Sequence, residues 1–183
     1  MMIRTAVATA AVSLIAACAS MSPMMPTYSQ AALPAAVQVP SGNKVAMETV
    51  GVGEITYQCS ARKDMAGQYE WVFVGPDAKL NDRGGKQVGK YYGPPATWES
   101  MDGSRLTAVQ VAVAPNTGMA GSIPLQLVKA NPAMGAGAMQ GVTYIQRVDT
   151  RGGVAPAMPC TAGNINSKQI VKYQADYIFY KAM

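Results

Sequence analysis

The densest group of polar side chains lies late in the chain and comprises Gln146, Arg147, Asp149 and Arg151, with two glycines directly after it. A guanidinium beside a carboxylate and a glycine loop can bind an anion, or the hydroxyls of a sugar, through planar bidentate donors. The alternative is structural, with Arg147 paired to a carboxylate that fixes the end of a strand. The sequence leaves both interpretations open.

A second group sets an aromatic ring next to a carboxylate, Trp98 beside Glu99, with Tyr92 and Asp102 nearby in sequence. Such a platform can hold the face and hydroxyls of a sugar, whereas a tryptophan on a strand is more often core. Glu99 and Asp102 would act as an acid–base pair on a glycosidic bond only if they lay about 5 Å or about 6.5–9.5 Å apart. The candidate ligand-binding residues are Tyr92, Trp98, Glu99, Asp102, Arg147, Asp149 and Arg151.

The chain contains no histidine. This excludes the Ser-His and Cys-His nucleophile pairs, the usual base at neutral pH and the commonest metal ligand. No G-x-G-x-x-G segment joins a strand to a helix, so no dinucleotide site is indicated. We therefore expect no cofactor and no metal, and we assign no catalytic residue; the composition favours a binding or structural protein over an enzyme.

The charge balance is mildly basic, with 15 Lys and Arg against 10 Asp and Glu and a net charge of +5. The basic residues are scattered from Lys44 to Lys181 without a clustered stripe. Nucleic-acid binding usually needs such a stripe, so we expect no nucleic-acid partner.

The first 17 residues carry one charge, Arg4, followed by an apolar stretch over residues 6–17. Spanning a bilayer of about 30 Å takes about 20 apolar residues, so this stretch is too short to cross one. Its length and position are typical of a signal peptide, which we predict for residues 1–17.

The apolar stretch ends in the letters IAAC, which resemble a bacterial lipobox, in which the cysteine is acylated and becomes the mature N-terminus. We predict lipidation of Cys18 and, since Ala19 replaces the aspartate of an inner-membrane retention signal, an outer-membrane location. The alternative is ordinary cleavage that leaves a soluble secreted protein. Residues 18–36 lack any periodicity and are predicted to be a linker between the lipid and the domain.

Two cysteines, Cys59 and Cys160, remain once Cys18 is acylated. Exported compartments are oxidising, and an even pair there is expected to join. We predict a structural disulfide, because the pair lacks the C-x-x-C spacing of a redox site.

Residues 37–183 show the two-residue alternation of strands, broken by Gly- and Pro-containing turns. Asp102-Gly103 predicts a tight hairpin, residues 75–77 predict a break, and residues 115–122 and 131–141 predict long Gly/Ala/Met-rich loops. We expect a mostly-β, single-domain, two-layer β-sandwich or jelly-roll-like fold. Its last strand should present an inward stripe of Val171, Tyr173, Ala175, Tyr177 and Phe179.

Several blocks together resemble an uncharacterised family of secreted bacterial and fungal proteins, the domain of unknown function 3455. The resemblance covers about residues 36–181, and residues 142–156 (VTYIQRVDTRGGVAP) are its most specific part. It implies export, a β-rich fold, the Cys59–Cys160 pair and no established activity. The other matching blocks are YQC at 57–59, WVFVGPDAKL at 71–80, residues 88–98, DGS at 102–104, IP at 123–124, Cys160 and YQADYIFY at 173–180.

These observations favour an exported envelope lipoprotein whose β-rich domain binds a glycan or an envelope protein through loops at one end. The alternatives are a structural or assembly component of the envelope and a carboxylate-based glycan hydrolase. The partners expected are the membrane, through the N-terminal lipid, and the ligand itself. The sequence does not indicate an oligomeric state.

Overall fold

The computed structural model describes residues 28–183, and the predicted signal peptide and Cys18 lie outside them. Apart from two short 3-10 turns, the described residues form only strands and loops, which confirms the prediction of a mostly-β single domain. Within this range no helix has the length and apolarity needed to cross a membrane. The strands are β1 (Asn43–Ala61), β2 (Tyr69–Asn81), β3 (Gln87–Tyr92), β4 (Thr97–Ser100), β5 (Arg105–Ala114), β6 (Leu125–Ala130), β7 (Val142–Gly152) and β8 (Lys168–Ala182).

All eight strands belong to one antiparallel sheet that follows chain order and closes through the pairing of β8 with β1. β4 and β8 lie on opposite walls of this closed barrel, and the ring of Trp98 on β4 lies 6.0 Å from that of Tyr177 on β8. The two walls therefore pack against each other as the two layers of a sandwich do, but one continuous sheet supplies both. The sheet closes through β1 and β8, but the short strands β3 and β4 leave the facing edges of β2 (residues 69–76) and β5 (residues 108–114) unpaired.

The interior is filled by side chains that alternate inward along each strand. The inward stripe predicted on β8 is confirmed, because its members belong to one buried cluster or pack against it. Other large side chains of this cluster include Leu80, Tyr91, Trp98, Leu106, Met139 and Ile145.

A second buried cluster covers the outer face of β5 to β8. Ile178 and Tyr180, on the face of β8 opposite the inward stripe, are buried beneath the chain that precedes β1. Val37, in a 3-10 turn at Ala35–Val37, is fully buried there. The part of the predicted linker that the structure describes, from Tyr28 onward, thus packs against the sheet.

The side-chain amide of Gln146 fastens this N-terminal segment to β7. Its oxygen accepts hydrogen bonds from the hydroxyls of Tyr28 (3.0 Å) and Tyr180 (2.8 Å). Its nitrogen donates to Oε1 of Gln30 (2.9 Å) and to the carbonyl of Val37 (2.6 Å). All four hydrogen-bonding positions of a buried amide are used, so Gln146 has a structural role.

Two strands depart from the simple alternation in sequence. β2 continues through residues 75–77, where a break was predicted, and Pro76 pairs with Ile55 of β1. Gly75 is required there because a Cβ would lie 2.1 Å from the carbonyl oxygen of Gly93, in the β3–β4 turn.

In β5 a bulge between Gln110 and Ala112 shifts the register, and therefore the phase of inward and outward residues changes along this strand.

The disulfide between Cys59 and Cys160 is confirmed. It joins β1 to the β7–β8 loop, and the indole Nε1 of Trp71 ties the same loop to β2 by donating to the carbonyl of Met158 (2.8 Å). In a closed antiparallel meander the β1–β2, β3–β4, β5–β6 and β7–β8 connections lie at one end of the barrel. We call this end the open end, because a cavity enters the interior there.

Candidate functional site

The cavity at the open end has a volume of ≈ 240 Å³. Its walls come from β2 to β7 and the β3–β4 turn, so residues distant in sequence meet there only through the curvature of the sheet. The charged side chain in its lining is that of Arg147, and no acidic residue lines it. The apolar part of the lining is formed by Phe73, Pro76, Pro94, Ala96, Ala108 and Val128.

Trp98 forms the aromatic wall of the cavity. β4 directs it inward, where it stacks on Tyr91 with ring centroids 4.6 Å apart and contacts the edge of Tyr177. Its side chain is only 2% exposed, yet its indole Nε1 has no hydrogen-bond partner among the described residues. A buried donor left without an acceptor costs about 1–3 kcal/mol, so the burial of Trp98 carries an energetic cost that its aromatic packing must offset.

Arg147 supplies the charge. It alternates with Ile145 on the inward face of β7, and its Nε and Nη2 donate to the carbonyl of Pro124 at 3.3 and 3.0 Å. In the described part of the chain no carboxylate lies within 4.0 Å of its guanidinium. A guanidinium has five N–H donors, so most of its donor capacity is not used by Pro124.

Tyrosines lie around the guanidinium of Arg147 but do not neutralise its charge. Burial raises the pKa of Tyr57, Tyr91 and Tyr177, while the positive charge of Arg147 acts in the opposite direction on each. Because burial dominates, all three phenols remain protonated at neutral pH. The charge of Arg147 is therefore still available to an anion.

A pair of amides completes the polar wall. Gln126 lies directly opposite Arg147 in the β6–β7 register, and its Nε2 donates to Oε1 of Gln110 on β5 at 2.7 Å. Both amides line the cavity. They offer neutral donors and acceptors next to the guanidinium.

Glu99 lies on the other side of the sheet from Trp98, because consecutive strand residues point to opposite faces. It accepts a hydrogen bond from the hydroxyl of Tyr92 (2.7 Å) and pairs with Lys90 (3.2 Å). The hydrogen bond from Tyr92, followed by Lys90, lowers the pKa of Glu99. The predicted platform of Trp98 beside Glu99 and Tyr92 is therefore divided by the sheet.

Asp102 lies in the β4–β5 hairpin turn, at the end opposite the cavity. Its carboxylate accepts from the hydroxyl of Ser104 (2.6 Å) and from the backbone N–H groups of Ser104 (2.9 Å) and Ala138 (2.8 Å). These bonds, the Ser104 hydroxyl first, lower its pKa to about 2. Asp102 thus joins the hairpin to the β6–β7 loop and does not share a site with Glu99.

Replacing Asp102 with alanine is expected to lower the melting temperature by about 2–4 °C at pH 7, since both connections are lost. A carboxyl whose pKa is lower in the folded state stabilises the fold above its unfolded pKa of about 3.9 and loses this effect as the pH falls towards about 2. The difference between wild type and variant, followed by thermal denaturation, should therefore shrink between pH 4 and pH 2. Glu70→Ala, at an exposed carboxylate of β2, is the control; a difference for Asp102→Ala that persists at pH 2 would contradict this account.

Asp149 and Arg151 lie beyond the cavity, where β7 bulges between Val148 and Arg151. They form an exposed ion pair at 3.3 Å, and Asp149 has a left-handed backbone with φ of 44°. Exposed pairs contribute little stability. Of the predicted polar cluster on β7, only Arg147 reaches the cavity.

Of the seven predicted site residues, Trp98 and Arg147 meet in one cavity and the other five lie outside its lining. Sequence reasoning missed Phe73, Pro94, Gln110 and Gln126 as lining residues. The sequence did contain an indication for Gln126, because this residue lies between Leu125 and Leu127 and alternation directs it to the opposite face of the strand. Within residues 28–183 no three His, Cys, Asp or Glu side chains are grouped so as to hold a metal ion.

Fold and cavity together define a class of protein, a single mostly-β domain whose closed eight-stranded antiparallel sheet surrounds an aromatic interior with one open end. The chain belongs to the family described as Protein of unknown function (DUF3455), which matches residues 40–181. This confirms the resemblance seen in the sequence. No curated protein and no solved structure shows significant similarity to the chain.

Proposed function

We propose that this protein is an exported lipoprotein of the cell envelope whose β domain binds a compact, largely apolar ligand in the open-end cavity. One observation carries the binding role. A cavity of ≈ 240 Å³ at the open end has a buried aromatic floor, formed by Tyr91 and Trp98, and the half-buried guanidinium of Arg147 in its lining has no described carboxylate within 4.0 Å. A ligand in this cavity would bury apolar surface against the aromatic floor and could accept hydrogen bonds from the guanidinium.

The size of the cavity limits the ligand. An apolar protein cavity of about 150 Å³ can take up benzene, so ≈ 240 Å³ suits a substituted single ring or a short branched chain. The walls formed by Phe73, Pro76, Pro94 and Val128 favour apolar contact, and Gln110 and Gln126 add polar contacts. The ligand should therefore be a small amphiphile.

A glycan, expected from the sequence, is not the ligand we propose. Trp98 is 2% exposed and cannot offer a sugar platform at the surface, and Glu99 lies on the opposite face of the sheet. The cavity also contains no pair of carboxylates for acid–base hydrolysis. We therefore propose binding without glycan chemistry.

Export and anchoring rest on the sequence and on the disulfide. A Cys59–Cys160 bond is expected to form and persist in an oxidising compartment, and the signal peptide and Cys18 give the proposed route to the outer membrane. Metabolic labelling with palmitate should mark the wild type and not Cys18→Ser. Equal labelling of both proteins would refute the anchor.

The binding proposal can be tested through Trp98 itself, since the chain has only two tryptophans. In a Trp71→Phe background, titration with benzyl alcohol should give a saturable change in fluorescence. Ala96→Phe, which fills the cavity from the β3–β4 turn, should abolish this change, whereas Ala66→Phe in the exposed β1–β2 loop should not. If benzyl alcohol, benzamide and benzoate all fail to saturate, the proposed function is wrong.

A further inference from the structure

Arg147 places an uncompensated positive charge at the cavity. No acidic side chain lines the cavity, and none of the described carboxylates lies within 4.0 Å of the guanidinium. The tyrosines that share the interior stay protonated, because burial raises the pKa of Tyr57, Tyr91 and Tyr177. Arg147 is half-buried at the cavity, and a guanidinium without a neighbouring carboxylate can bind an anion that enters from solvent.

We infer that the cavity selects compact monocarboxylates and that Arg147 binds their carboxylate group. This inference rests on the proposed ligand-binding function and names its substrate class. A guanidinium matches a carboxylate through two parallel N–H···O bonds. Arg147 is fastened to β7 and to the Pro124 carbonyl through Nε and Nη2, which holds its position while leaving other donors available.

The burial of the polar groups gives the ligand an orientation. Trp98 is almost fully buried, whereas Arg147 is half-buried and accessible from solvent. The carboxylate therefore binds near the mouth, and the apolar body extends inward along Tyr91, Trp98 and Val128.

The charge count favours one negative charge over two. Arg147 is the single cationic side chain in the cavity lining, and the other polar members, Gln110 and Gln126, are neutral. A phosphate dianion would keep an unpaired charge in this largely apolar space, which is costly. A carboxylate leaves the pair neutral.

The test uses the full domain in the Trp71→Phe background and a matched set of probes, namely benzoate, benzamide and benzyl alcohol, with phenyl phosphate as the dianion. Hydrogen bonds to charged groups are stronger than neutral ones, so we expect benzoate to bind about 10- to 100-fold more tightly than benzamide. Arg147→Met should reduce benzoate affinity to the level of benzamide and leave benzyl alcohol unchanged. Phenyl phosphate should bind more weakly than benzoate.

Two further variants keep the outcome interpretable. Arg151→Met, on the same strand but outside the cavity, should leave every affinity unchanged. Arg147→Lys keeps the charge without the bidentate geometry and should retain an intermediate preference for benzoate. It takes the place of Arg147→Met in the comparison if Arg147→Met does not fold. Equal affinity for benzoate and benzamide, tighter binding of phenyl phosphate, or full benzoate affinity in Arg147→Met would overturn the inference while the proposed function stands. Failure of benzoate, benzamide and benzyl alcohol to bind the wild type would instead refute the proposed function.

Discussion

Replacing Phe179 with alanine is expected to lower the free energy of unfolding by about 3–5 kcal/mol. Phe179 lies on the inward face of β8, is fully buried, and pairs in register with Met47 of β1 and Ile145 of β7. These are the strands whose pairing closes the barrel, so a cavity here weakens packing on both sides of the seam. Urea denaturation followed by circular dichroism measures the change.

The only other phenylalanine in the chain provides a matched control. Phe73 on β2 is 52% exposed, and its described aromatic contact is an edge-on one with Tyr57 at 6.0 Å. Phe73→Ala should cost less than about 1 kcal/mol, because surface changes have small effects. If Phe179→Ala does not fold, Phe179→Leu, which removes less volume and is expected to cost less than Phe179→Ala, can be compared with Phe73→Leu. Equal losses at both positions would show that β8 is not the centre of the core.

Removal of the disulfide by Cys59→Ala with Cys160→Ala is expected to cost about 2–5 kcal/mol. The two cysteines are 101 residues apart in sequence, and the chain-entropy account assigns a loop of that length about 4–5 kcal/mol. The bond also fastens the β7–β8 loop to β1 at the open end. The stability loss can be measured by urea denaturation of the oxidised wild type and of the double variant.

A reductant provides the internal control for this experiment. Dithiothreitol should destabilise the wild type towards the level of the double variant and should leave the double variant unchanged. The single variant Trp71→Phe, which removes the other tie to the same loop, should cost less than the disulfide, because it loses one exposed hydrogen bond. If wild type and double variant unfold at the same urea concentration without reductant, the covalent bond contributes nothing to stability.

Part of the candidate site followed from the sequence. Trp98 and Arg147 were identified by residue type, since an aromatic ring and a guanidinium are typical of binding sites. Their neighbours in sequence were assigned to the same sites, but Glu99 and Asp149 do not line the cavity that holds Trp98 and Arg147. Adjacent residues of a strand point to opposite faces of the sheet. Two side chains that are neighbours in sequence therefore rarely share a site built on one face of a strand.

The sequence by itself determined the strands, most turns, the disulfide and the inward stripe of β8, because these depend on local alternation, on glycine in tight turns and on cysteine number. Only the tertiary structure decided that one sheet closes on itself, that the chain from Tyr28 covers an outer face, and that Trp98, Gln126 and Arg147 surround one cavity. Alternation gives relative faces but not which face is enclosed, and bulges such as the one between Gln110 and Ala112 shift its phase. Contacts across the barrel depend on the register of every intervening strand pair. A local sequence pattern does not contain this information.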